Sequence, residues 1–188
     1  MKTLLYIFYL PLNTLWWLLN GVRPFCIKSY GFLFIRNQGK IKLGKGIVVN
    51  SNRFANIIGG ATASSIMVGP NGRLEIGDQV AMSNSTICCR EEIIIENGVM
   101  IGGGCCIWDT DFHPINSDQR KINPNSNYKN KPIRIESNAF IGAHSIIMKG
   151  VTIGKNSVVG AGSVVRVSIP ENEIWAGNPA VFVKKLTV

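Results

Sequence analysis

The segment "IWDTDFHPI", residues 107–115, sets Asp109 and Asp111 close to His113, one of only two histidines in the chain. Such a trio could move protons, because imidazole titrates near neutral pH and can take a proton from an attacking group and later return it. Two readings stand for Asp109 and Asp111: they orient the ring and keep it basic, or they are solvated loop acids. A second chemistry would come from the five cysteines, Cys26, Cys88, Cys89, Cys105 and Cys106. They lack the C-x2-C spacing that wraps a tetrahedral ion, so no metal site is expected. Neighbours on a strand point to opposite faces, so one of each adjacent pair should pack inside as a small apolar residue, and unpaired thiols suit a reducing cytoplasm.

The elements that must position His113 show in the spacing of aliphatic residues. From Ile135 onward they recur every sixth position: Ile135, Ile141, Ile147, Ile153, Val159 and Val165. Four places after each stand Ala139, Ser145, Val151, Ser157, Ser163 and Ile169. The same step gives Ile76, Met82 and Cys88, then, one residue out of phase, Ile95, Ile101 and Ile107, with Ile41 and Ile47 as earlier candidates. This period fits neither a helix nor simple alternation, and marks a solenoid of short strands and corners. Aliphatic residues would point inward, and the glycines of "IGD", "IGA" and "IGK" would relax the backbone at corners. With 46% apolar residues, 16% charged residues and 20 glycines, the 188 residues suit one all-β domain. The ladder breaks at residues 108–134, an irregular stretch holding Pro114, Pro124 and Pro132. Ordered loops of that length are usually functional, which makes His113, at its base, the central candidate.

The formal net charge of +9 is regional: residues 1–74 hold nine Lys/Arg and no acid, and the rest holds eleven of each sign. No recognisable module and no basic face interleaved with aromatics accompanies it, so nucleic acid is not expected as a partner. The opening "MKTLLYIFYLPLNTLWWLLNGVRPF" is apolar, but Pro11, Asn13, Thr14 and Asn20 interrupt any spanning helix, and a small-residue cleavage site is lacking. It reads as a helical cap over the first layer of the solenoid, or as an interfacial anchor with Trp16 and Trp17 at lipid headgroups and trailing cations on anionic lipid. The chain thus divides into an apolar and basic segment, residues 1–40, and a repeat domain, residues 41–188.

The hexads, the "HP" of the irregular loop, "KPIRIESNAFIGAHSIIMKGVTIGKNSVVGAGSVV" and the tail "IPENEIWAGNPAVFVKKL" resemble the hexapeptide-repeat acyltransferases of the maltose and galactoside O-acetyltransferase type. The resemblance runs from about residue 66 to the end. It implies a left-handed parallel β-helix with one long extruded loop, assembled as a homotrimer with each site between two subunits. It implies transfer of acetyl from acetyl-CoA to a hydroxyl of a saccharide, as in polysaccharide biosynthesis, with His113 as general base. Gly142, Ala143, Ala161 and Gly162 would let coenzyme A lie close to the backbone, and Arg166, Lys184 and Lys185 would meet its phosphates. Ser83 and Asn84 fall where the acceptor is held, with Asp109 and Asp111 beside it; Ser83 and Asn84 are equally read as corner residues making local hydrogen bonds.

The chain departs from the family's pattern at several positions. The family's "WIGS" reads "FIGA", so Ala143 keeps a backbone N–H for an oxyanion but no hydroxyl; "TKD" reads "RVS" at Arg166, Val167 and Ser168; and Val181 follows "NPA" where a lysine is usual. His144 reads as coil surface. The rival readings are an amino-sugar N-acetyltransferase and a non-catalytic binding solenoid. A carbonic anhydrase of this architecture needs three histidine ligands, and a serine acetyltransferase brings a large helical N-terminal domain; the sequence offers neither. The expected placement is cytoplasmic, peripheral to the inner face of the membrane if the first segment is an anchor.

Overall fold

In the computed structural model, which describes residues 1–187, short strands build three sheets of eight, six and five strands, and the chain visits each sheet in turn. Strands Ile27–Tyr30, Phe34–Asn37 and Lys40–Leu43 form the first coil, and the next coil stacks on it in parallel register. The result is a left-handed parallel β-helix. Its helical parts are α1 (Lys2–Leu19), α2 (Ser117–Ile122) and one 3-10 turn at Pro24–Cys26.

Register explains the hexads. In the second sheet Ile35, Ile66, Ile87, Ile107, Ile147 and Val165 stand partner on partner. Each is 2% exposed or less. Ile76, Ile95, Ile135 and Ile153 do the same in the third sheet, and Met82, Ile101, Ile141 and Val159 in the first. Burying one such side chain is worth about 1.5–3 kcal/mol, so the stacked columns hold the coils together.

Three sequence expectations change. The column runs through Ile87, whereas Cys88 pairs with Met67 and Trp108 beside it. The hexad count is therefore one residue off in that strand, although each cysteine pair does place one member, Cys89 or Cys105, in the core cluster. The glycines of the corner motifs also serve a different end. A Cβ on Gly142 would stand 2.5 Å from the amide nitrogen of Ala161 in the next coil, so close stacking demands the glycine. The left-handed corner lies two residues on, at His144 (φ 59°), Asn156 (φ 58°) and Gln79 (φ 57°). Finally, the coil starts at Ile27, ahead of the boundary placed at 41. Ser29 stands under Val49 in the first sheet, so no aliphatic marks that rung.

Helix α1 closes the end of the solenoid. Asn13 and Trp17, each 1% exposed, face the first coil. The Asn13 amide donates to the Gly31 carbonyl (2.9 Å) and accepts from the Leu33 N–H (3.1 Å), while the Trp17 indole donates to the Leu33 carbonyl (3.1 Å). These bonds satisfy coil backbone groups that have no further strand to pair with. Two loops leave the prism: residues 109–132, expected at 108–134 but shortened at both ends by strands, and residues 51–64, which the sequence reading missed.

Candidate active site

The long loop is pinned at its root. Thr110 bridges Asn130, the Asp111 N–H donates to the Lys129 carbonyl (3.0 Å), and the Lys131 N–H donates to the Asp109 carbonyl (2.9 Å). Trp108 packs edge-on against Phe112, with centroids 6.0 Å apart. Within this frame the His113 N–H donates to the Asp111 carbonyl (2.7 Å), and the exposed ring places Nδ1 2.7 Å from the Pro124 carbonyl oxygen. A carbonyl oxygen only accepts, so Nδ1 is the donor in this contact, and a ring with one proton carries it there and leaves Nε2 bare.

The flanking acids are committed elsewhere. Asp109 is fully buried and accepts from the backbone N–H groups of Arg90 (2.7 Å) and Glu91 (2.8 Å). Both carboxylate oxygens are thus taken up by backbone donors, a structural role beside the expectation that grouped Asp109 with the substrate. Asp111 forms a half-buried ion pair with Lys149, which also donates to the Lys129 carbonyl (3.2 Å). Neither carboxylate holds the imidazole. That job falls to a proline carbonyl, which no side-chain pattern could announce.

Ser83 lines a different region, with Asn84 at the corner behind it. A cleft of about 360 Å³ opens on the first sheet at its turn into the second, between Asn50, Ser83, Met100 and Phe140, with Gly102, Gly103 and Ala143 along the corner. Asn50 donates to the Ser83 hydroxyl (3.0 Å). Loop 51–64 forms one wall: the Asn84 amide donates to the carbonyls of Asn56 (2.9 Å) and Ile58 (3.1 Å). Gly103 permits that approach, since a Cβ there would stand 2.1 Å from the Ile58 carbonyl oxygen. The Oδ1 atoms of Asn50 and Asn84 are buried and have no partner within the protein.

Gly142, Ala143, Ala161 and Gly162 follow one another along the same corner of successive coils, where the Gly162 N–H donates to the Ala143 carbonyl (2.8 Å). Gly162 adopts φ 71° with open space where a Cβ would lie, so a flat ligand could run past its backbone. Arg166 is exposed beyond this corner, and Lys184 and Lys185 are exposed on the final strand Val181–Lys185, which pairs antiparallel with Glu173–Ala176. His144 is an exposed corner residue. The structure thus joins Ser83, Asn84 and Ala143 at one corner, and roots the loop of His113 at the next, between the second and third sheets. Among the described residues no group of three or more His, Cys, Asp or Glu could hold a metal ion.

Comparison with known proteins bears on this arrangement. A family model described as the hexapeptide repeat of succinyl-transferase matches residues 132–166. A Saccharomyces cerevisiae protein provisionally named an acetyltransferase is 34% identical over 168 residues, covering 82% of this chain and 84% of that one. The galactoside O-acetyltransferase of Lactococcus lactis is 42% identical over 103 residues, or 55% of this chain, and the match spans only about half (48%) of that enzyme. Among solved structures, a hexapeptide-repeat acetyltransferase of Vibrio cholerae complexed with acetyl-coenzyme A superposes with a TM-score of 0.59 at 29% identity, covering 66% of each chain.

Proposed function

The chain belongs to the hexapeptide-repeat acetyltransferases, and from that premise we propose that it moves acetyl from acetyl-CoA to a hydroxyl of a saccharide, with His113 as general base. One observation carries the reading: the 2.7 Å contact of Nδ1 with the Pro124 carbonyl, which leaves Nε2 free to accept a proton. Nε2 removes the hydroxyl proton as the oxygen attacks the thioester carbonyl, and the proton then passes to the departing sulfur as the C–S bond breaks. The Ala143 N–H, at the cleft, is the donor assigned to the oxyanion in place of the missing hydroxyl.

The cleft fits the donor. Its glycine corners leave room for a pantetheine arm, the open Oδ1 atoms of Asn50 and Asn84 offer acceptors to amide N–H or sugar hydroxyl groups, and Arg166, Lys184 and Lys185 supply charge for phosphates. Acetyl-CoA contributes the activated acyl group. The galactoside O-acetyltransferase among the relatives supports a saccharide acceptor, in the chemistry of polysaccharide modification. Because the base and the cleft are rooted at different corners of one prism, we take the working form as a homotrimer in which a loop from one subunit reaches the cleft of the next. We place it in the cytoplasm, where free thiols persist.

Purified protein incubated with labelled acetyl-CoA and a panel of sugars, amino sugars and nucleotide sugars tests this. His113→Ala is expected to lose about a hundredfold or more in kcat while coenzyme A binding is kept. A loss below about tenfold contradicts the base, and labelling of amines alone turns the reading toward N-acetylation.

A further inference from the structure

Helix α1 is built inside out for a cap bathed in water. Its polar side chains Asn13 and Asn20 turn toward the coil, while Leu4, Phe8, Leu12, Leu15 and Leu19 project outward, each more than half exposed. They recur at helical spacing and form one apolar strip across the end of the prism. Phe25, just past the helix end, is also fully exposed. A contiguous face of this size on a soluble domain marks an interaction surface.

The charge around the strip identifies its occupant. Arg23, Lys28, Arg36, Lys40, Lys42 and Lys45 are all exposed on the first coil or its approach, and no acid occurs before Glu75. Lys2 and Lys28 lie over the ring of Tyr30, keeping cations at the edge of the helix. A second copy meeting this face end to end would bring two belts of like charge together. An anionic lipid surface accepts both features, the strip among acyl chains and the cations at the headgroups. Among the described residues no helix is long and apolar enough to cross a membrane, so α1 would lie along the surface.

We infer that the outward face of α1, ringed by the cations of the first coil, docks the protein on an anionic bilayer with the axis of the β-helix upright and the cleft held above the surface. The inference is independent of the acetyl-transfer reading. Deleting α1 would strip Asn13 and Trp17 from the first coil, so point variants are the proper probe. In co-sedimentation with phosphatidylcholine vesicles containing phosphatidylglycerol, the full chain should pellet, and pellet less as salt rises. Phe8→Ser with Leu15→Ser should partition about tenfold less at unchanged melting temperature and unchanged turnover of a water-soluble acceptor. Arg36→Gln, Lys40→Gln and Lys45→Gln together should remove the preference for anionic over pure phosphatidylcholine vesicles. Equal pelleting of the wild type and the Phe8/Leu15 variant, or no pelleting of either, overturns the inference. So does a light-scattering mass that halves in the Phe8/Leu15 variant, which would give the face to a second copy.

Discussion

Asp109 and Asp111 look alike in the sequence, and the fold gives them unlike work. The Asp109 carboxylate binds two backbone N–H groups of the preceding coil inside the protein, whereas Asp111 fastens the loop to Lys149. Asp109→Ala should therefore destabilise the fold by about 1–3 kcal/mol in chemical denaturation, since it removes a buried carboxylate from two part-buried donors, while the folded fraction keeps most of its kcat. A catalytic collapse at unchanged stability would contradict this. His113 was legible because "HP" opens the break in the hexads; the division of labour between the acids was not, because the partners of Asp109 lie in another coil and carry no side-chain signature. The cysteines make a second case. Burial pushes the Cys89 thiol up to about 12, and burial likewise raises those of Cys88, Cys105 and Cys106. At pH 8 native protein should leave Cys89 unmodified by a thiol reagent, with labelling appearing only on unfolding. Rapid native labelling of Cys89 would refute the packing described.

Among the elements, α1 carries two faces with opposite consequences for substitution. Trp17→Ala opens the first coil and should cost about 3–5 kcal/mol, whereas Leu15→Ser, on the exposed face, should stay within about 0.5 kcal/mol. The sequence left cap and anchor open because an all-round apolar helix with scattered Asn does not say which side meets the coil; in the fold the Asn side does. The repeating strands were readable because an inward aliphatic is needed at each rung. Loop 51–64 was not, since Val49 and Ile66 still look like members of a ladder across it. On the third sheet, hydrogen bonding from Arg73 holds Glu75 below its usual range. For Glu96, desolvation works upward, yet donors from Ser137 and the Arg134 guanidinium outweigh it and the net shift is downward. Depressed carboxyls stabilise the fold above their unfolded pKa and lose that contribution as pH falls, so melting temperature should be flat near neutrality and decline below about pH 4.5. Because these acids are only partly buried and their ion-pair partners are exposed, the decline should be modest, and Ser137→Ala should shrink it further.

For the whole molecule, the question is whether one chain holds a complete site. The loop of His113 leaves from the turn between the second and third sheets, and the cleft lies at the turn between the first and second. Ile115 and Ile122 stand 80% and 86% exposed on that loop, apolar contacts that a neighbouring prism would cover. Threefold assembly would therefore join the base of one chain to the cleft of the next. Two variants, each expected to be inactive alone, decide the point. His113→Ala removes the base and leaves the cleft, while Ala81→Trp, on the outward side of the first sheet, fills the cleft and leaves the base. If the two are denatured together in equal amounts and refolded, each site draws its loop and its cleft from independent chains, so about a quarter of sites receive both intact parts. Activity should return to about a quarter of the wild-type value. If base and cleft came from one chain, every site would carry one lesion, and the mixture would show no more than the average of its parents.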